Sequence, residues 1–279
     1  MRGLDKGIRR YAAIATLATA TAGAGACAIS TQQELELGQQ YATEINQQLP
    51  IIDDAEIHRY INLVGDRLAQ QGGRQLDYTF YVVNTDVINA FAVPGGYVYI
   101  NRGLIERTDN LSELAGVLAH EIAHVELRHG VEQMESMQRA QLGLALGSIL
   151  LGPPQGATAA AVQVGAGLYF ASNSREAENE ADALAIPLLI GGGVHPRGLV
   201  TFFNELIAER ERAPSSLEQW FSTHPLTEDR IAAVEARIDQ QPAGSLEGLA
   251  MNSANFTRMQ SRLRSMPAPP PEFRSENRQ

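Results

Sequence analysis

Residues 110–130 read NLSELAGVLAHEIAHVELRHG, and this stretch decides both the fold and the chemistry. Leu111, Leu114, Leu118, Ile122 and Val125 recur at intervals of three and four, the period of one helical face. The segment is therefore expected to be an amphipathic helix that starts at Asn110 and ends near His129-Gly130. On such a helix His120 and His124 project from nearly the same side, so both imidazoles can reach one metal ion. Glu121 lies about 100° further round, where its carboxylate can address a water on that metal rather than the metal itself. Zinc accepts neutral imidazoles and a carboxylate, and in catalytic sites it keeps one position open for water.

A third ligand is sought downstream, in the charged run from Ser174 to Asp182. Its composition favours a helix, on which Glu178 and Asp182 share a face. Spacing alone does not rank Glu176, Glu178 and Glu180, and without the histidine motif the run would read as a solvated charged helix.

Upstream, residues 31–49 carry Leu35, Leu37, Tyr41 and Ile45 and are expected to be helical. After Pro50, Asp53 and Glu56 stand at capping-box spacing before Ile57, Ile61, Val64 and Leu68, which predicts a second amphipathic helix. Residues 78–83 and 87–93 are rich in β-branched and aromatic side chains, and a Pro94-Gly95-Gly96 turn leads into a third such run, 97–100. A small sheet is expected there. Between the two ligand blocks lies an apolar region, 140–171, interrupted by Gly152-Pro153-Pro154-Gln155-Gly156. Each arm is about half the roughly 20 residues of a membrane span, so it reads as two packed helices with a loop near the site, a membrane-touching or lid segment being the alternative. Past Ile238 the composition shifts to Gln, Pro, Ser and Arg, and residues 241–279 are expected to form a flexible C-terminal tail.

The chain has 279 residues, with 22 basic against 32 acidic side chains and a net charge of −10. That balance argues against a nucleic-acid binder that neutralises phosphates. A single cysteine excludes an internal disulfide framework and a Cys-rich zinc cluster. Residues 1–26 place Arg2, Lys6, Arg9 and Arg10 ahead of an uncharged Ala/Thr/Leu/Gly stretch, the pattern of a secretory signal peptide. Cys27 follows Ala24-Gly25-Ala26, where bacterial lipoproteins carry their cleavage box, which points to a lipid anchor; a plain signal peptide is the alternative.

Four blocks carry a specific resemblance: Asn89-Ala90-Phe91-Ala92-Val93-Pro94-Gly95-Gly96, the His120–His124 motif, Ser174-Arg175 through Glu178 to Ala181-Asp182, and Ser222-Thr223-His224-Pro225 with Asp229-Arg230. In content and order they resemble the HtpX and CAAX-prenyl-endopeptidase family of gluzincin metalloproteases, over about residues 31–240. The resemblance implies an α+β fold, a mainly helical zincin-like metalloprotease domain (27–240) with a small sheet whose edge strand borders the active-site cleft. It implies one Zn²⁺ per chain on His120, His124 and Glu178, with Glu121 as general base and Asp182 fixing a ligand histidine. It implies that His224 steadies the oxyanion or occupies the open metal position in a latent state, although His-Pro is also a reasonable helix start. Arg230 would support the oxyanion, or serve only as a salt-bridge partner. Asn89, Ala90, Phe91, Gly95 and Gly96 would line a substrate-pairing edge, or form an ordinary hairpin. His58, His129 and His195 read as surface or capping histidines. The expected substrates are unfolded or misassembled envelope polypeptides, met in the periplasm from an outer-membrane anchor on Cys27; a non-catalytic scaffold lipoprotein is the rival reading.

Overall fold

The computed structural model describes residues 28–139, 173–210 and 214–275. The leader, Cys27 and the apolar stretch 140–171 therefore lie outside the described residues. The order is α1 (Thr31–Gln48), α2 (Ala55–Ala69), β1 (Thr79–Val83), β2 (Ala90–Val93), β3 (Tyr97–Asn101), α3 (Arg102–Arg107) and α4 (Leu111–Glu126). Helical residues 129–139 (α5) follow, then α6 (Arg175–Gly191), α7 (Arg197–Arg210), α8 (Pro214–Thr223), α9 (Glu228–Asp239) and α10 (Ala254–Arg264). The fold is α+β and mainly helical, and no described helix is long and apolar enough to cross a membrane.

The three strands form one sheet in the order β1-β3-β2, with β1 parallel and β2 antiparallel to β3. Phe91 pairs with Tyr99 and Ala92 with Val98, so β2 is an edge strand. It begins at Ala90; residues 87–89, expected to belong to it, are not strand. Gly95 and Gly96 take φ values of 84° and 98°, a left-handed pair open to glycine at little steric cost. The two glycines of that turn do not line the cleft. Both glycines are buried, Gly95 under α1, where Gly38 lies against the Pro94 carbonyl, and Gly96 against the backbone of Asp77 and Tyr78.

The central element is α4. Every residue from Leu111 to Val125 is buried, not only the apolar stripe, because α6, α7, α2 and the sheet enclose it on all sides. Gly116 permits this: a Cβ there would sit 3.0 Å from the Leu199 backbone of α7. Asn110 caps the helix by accepting from the Glu113 amide, while Glu113 accepts from the Asp109 amide. The helix is shorter than expected. It stops at Glu126, and Arg128, at φ 62°, reverses the chain so that α5 starts at His129. The cap of α2 is Asp54 rather than Asp53, accepting from the amides of Glu56 and Ile57.

The expected flexible tail is overturned over its described part. Ser253 caps α10, and Phe256, Met259 and Leu263 pack into the main core beside α2 and α3. Beyond it, the carbonyls of Met266 and Pro267 accept from Arg102, and the Phe273 carbonyl accepts from Thr85. The reason is local: three apolar residues at helical spacing outweigh the polar average of the segment.

Candidate metal centre

The site lies where α4, α6 and the loop after α8 converge. His120 and His124 stand one turn apart in α4, and their Nε2 atoms are 3.1 Å from each other. Ser174 caps α6 through the Ala177 amide, which sets Glu178 one turn in, facing α4. Glu178 Oε1 is 3.2 Å from His124 Nε2 and Oε2 is 3.5 Å from His120 Nε2. His224 follows the last turn of α8, its amide donating to the Trp220 carbonyl, and its Nδ1 is 3.1 Å from Glu178 Oε1. One ligand atom from each of His120, His124, Glu178 and His224 lies within 4.8 Å of the others. All four side chains are buried. Three imidazoles and a carboxylate pointing at one spot form a donor set that fits zinc.

Glu121 and Asp182 flank the cluster. The Glu121 carboxylate is fully buried, 3.4 Å from His224 Nε2, and neither oxygen meets a protein donor at full hydrogen-bond geometry. Burial raises its pKa above the ordinary 4.5, against the pull of His224 and His120. Asp182 Oδ1 is 3.0 Å from His120 Nδ1, the ring nitrogen turned away from the cluster.

The charge balance is set by burial first and partners second. Burial opposes ionisation of Glu178 and Asp182, yet histidines around Glu178, and His120 with Arg230 around Asp182, hold both carboxyls below their usual values. Burial takes His124 down to about 3. For His120 burial works in the same direction, but hydrogen bonds to Asp182 and Glu178 prevail and raise it to about 10. Asp182 and Glu178 thus favour the charged form of His120, and a metal ion held there would compete with that proton.

Arg230 forms ion pairs within the site. Its guanidinium pairs with Asp182 at 2.8 and 2.9 Å, reaches Glu178 Oε2 at 2.6 Å and donates to the Pro225 carbonyl at 2.7 Å. It therefore ties α9, α6 and the His224 loop together. Of the five residues expected to line a substrate edge, Phe91 borders the cleft, in company with Ala92, Val93 and Pro94. Asn89 and Ala90 are fully buried, Gly95 lies under α1 and Gly96 lies against Asp77 and Tyr78. Tyr41 of α1, Gly130, Gln133 and Met134 of α5, Asn173 and Thr223 also line the cleft, with Glu121, His124 and His224 in its wall.

His129, expected at the surface or in a cap, and Glu180, one of the three acids that spacing left unranked, stand together beside the site. His129 is buried, with its Nδ1 2.8 Å from His124 Nδ1, and Glu180 Oε2 lies 3.2 Å from His129 Nε2. The signal was the histidine five residues after the motif, but only the Arg128 turn brings it back to His124. His195 does cap, accepting from the Arg197 amide at the start of α7, and His58 is exposed.

A helix bearing two histidines and a glutamate, a carboxylate from a later helix and an edge strand over the cleft define a gluzincin-type zinc metallopeptidase. The chain belongs to Peptidase family M48, whose pattern matches residues 53–238. It is 37% identical over 221 residues to the Beta-barrel assembly-enhancing protease of Escherichia coli K12, covering 76% of this chain and 45% of that protein. The Yersinia pestis protein of the same name is 38% identical over the same shares. The mitochondrial Metalloendopeptidase OMA1 of Bos taurus is 29% identical over 177 residues, 61% of this chain and 34% of its own. The chain thus spans less than half the length of these relatives.

Proposed function

We propose that the chain is a zinc endopeptidase of the bacterial cell envelope that hydrolyses misfolded or stalled envelope polypeptides. The observation that carries this reading is one cleft lined by the buried Glu121, by His124 and His224 of the metal cluster and by residues of edge strand β2. His120, His124 and Glu178 would hold the zinc, which supplies Lewis acidity toward the scissile carbonyl and toward a water molecule. Glu121 takes the water's proton and later returns it to the leaving amine; its raised pKa suits a group that must carry a proton between the two steps. Asp182 and Arg230 keep His120, Glu178 and the His224 loop in register. An extended substrate would pair along β2 by its backbone, which favours unfolded segments over folded ones. His224, within reach of both Glu178 and Glu121, would fill the fourth metal position at rest and withdraw for substrate.

The name of these relatives, beta-barrel assembly-enhancing protease, supports β-barrel proteins in assembly as the substrate class. Residues 1–27 support export and anchorage through Cys27. The decisive comparison is zinc content and casein cleavage by the wild type and Glu121→Gln. Both should carry one zinc, with cleavage in the variant reduced about 10²–10⁴-fold. Equal cleavage by the variant would sink the assignment of Glu121, and zinc without cleavage in the wild type would favour a scaffold.

A further inference from the structure

Both α4 histidines have a ring nitrogen turned away from the cluster, and each is met by a different arrangement. His120 Nδ1 meets Asp182 directly at 3.0 Å. His124 Nδ1 meets another imidazole, His129 Nδ1, at 2.8 Å, and the far nitrogen of His129 lies 3.2 Å from Glu180. Two ring nitrogens at that distance share one proton, and the carboxylate decides which ring donates it. Glu180 accepts from His129 Nε2, so the Nδ1 of a neutral His129 is an acceptor and His124 Nδ1–H donates to it. His124 Nε2 is then left with its lone pair directed at Glu178 and His120.

The backbone is arranged to achieve this. Arg128 occupies the left-handed region at φ 62°, a conformation that is strained for a non-glycine residue. It is kept there by ion pairing with Glu34 of α1 at 3.0 Å and by donation to the Ile29 carbonyl at 2.6 Å. Without that reversal α4 would run on and carry His129 away from His124. We propose that His129 and Glu180 are positioning residues, a relay that fixes the orientation and tautomer of His124 for metal binding. The inference rests on the zinc-site reading above.

The test uses the full chain as wild type, His129→Ala, His129→Gln, Glu180→Ala and the His129→Ala/Glu180→Ala double variant. Zinc affinity is measured by competition with a chromophoric chelator, and visible absorption is recorded after loading with Co²⁺. His129→Ala should weaken zinc binding about 10–100-fold and alter the cobalt spectrum. His129→Gln, whose amide oxygen can accept from His124, should recover much of both. Glu180→Ala should show a smaller loss, absent when His129 is already alanine, because it acts through that ring. A folded His129→Ala with wild-type affinity and cobalt spectrum would overturn the proposal. Should that variant fail to fold, Glu180→Ala decides, since the Glu180 side chain is 55% exposed: an unchanged affinity and spectrum there overturns the relay. Failure of the wild type to bind zinc would overturn the metal-site reading, and this inference with it.

Discussion

Carboxylates in this molecule keep or lose their charge according to what they face. Glu178 and Asp182 are buried among histidines and Arg230 and stay ionised, whereas Glu205 of α7 faces Glu113 and Asp109. Partial burial and those two acids raise Glu205 to about 7, from an ordinary 4.5. The folded state thus holds a proton that the unfolded chain has released. Stability is fullest below pH 4.5 as far as this group is concerned, and it declines as pH rises toward 7. Glu205→Gln should flatten that decline and make the variant the more stable protein at pH 8, read from urea melts at pH 5 and pH 8. Parallel pH dependences for the two proteins would refute it. At this scale the sequence was uneven as a guide. His120, Glu121 and His124 were legible because helical spacing fixes their relation, and the later carboxylate was narrowed to three. Arg230's partners were not legible, since Asp182 lies 48 residues away and only packing joins them.

Among the elements, α10 carries the clearest lesson. Its mean composition is polar and the segment after it is rich in proline, so it read as a tail, but Phe256, Met259 and Leu263 recur on one face. Gln260 adds a specific lock by donating to the carbonyls of Ile105 and Thr108, which end α3. Phe256→Ala should cost about 3–5 kcal/mol and lower the unfolding midpoint of the whole domain. A midpoint within error of the wild type would mean that α10 contributes nothing to the fold. The helices around α4 also differ in legibility. Leu199, Phe202, Phe203 and Leu206 of α7 are all buried at i, i+3, i+4 and i+7, a pattern open to reading, whereas the end of α4 at Glu126 depends on one left-handed arginine.

For the molecule as a whole, the metal cluster draws on three separate stretches of chain, around His120, Glu178 and His224. A ligand that binds only this assembled arrangement stabilises it by mass action, by about 2.7 kcal/mol at a hundredfold excess over Kd. Zinc should therefore raise the thermal midpoint by roughly 5–10 °C, reversibly with chelator, and Glu178→Ala should abolish most of the rise. An unchanged midpoint in saturating zinc would argue against a site built from all three stretches. The strap that runs from α10 to Phe273 has one more consequence. Asp54 waits for Arg262, 208 residues further on, and Thr85 waits for the Phe273 carbonyl, 188 residues further on. During synthesis, then, Asp54 and Thr85 leave the ribosome long before the partners that hold them, and this side of the domain is the last to be fastened.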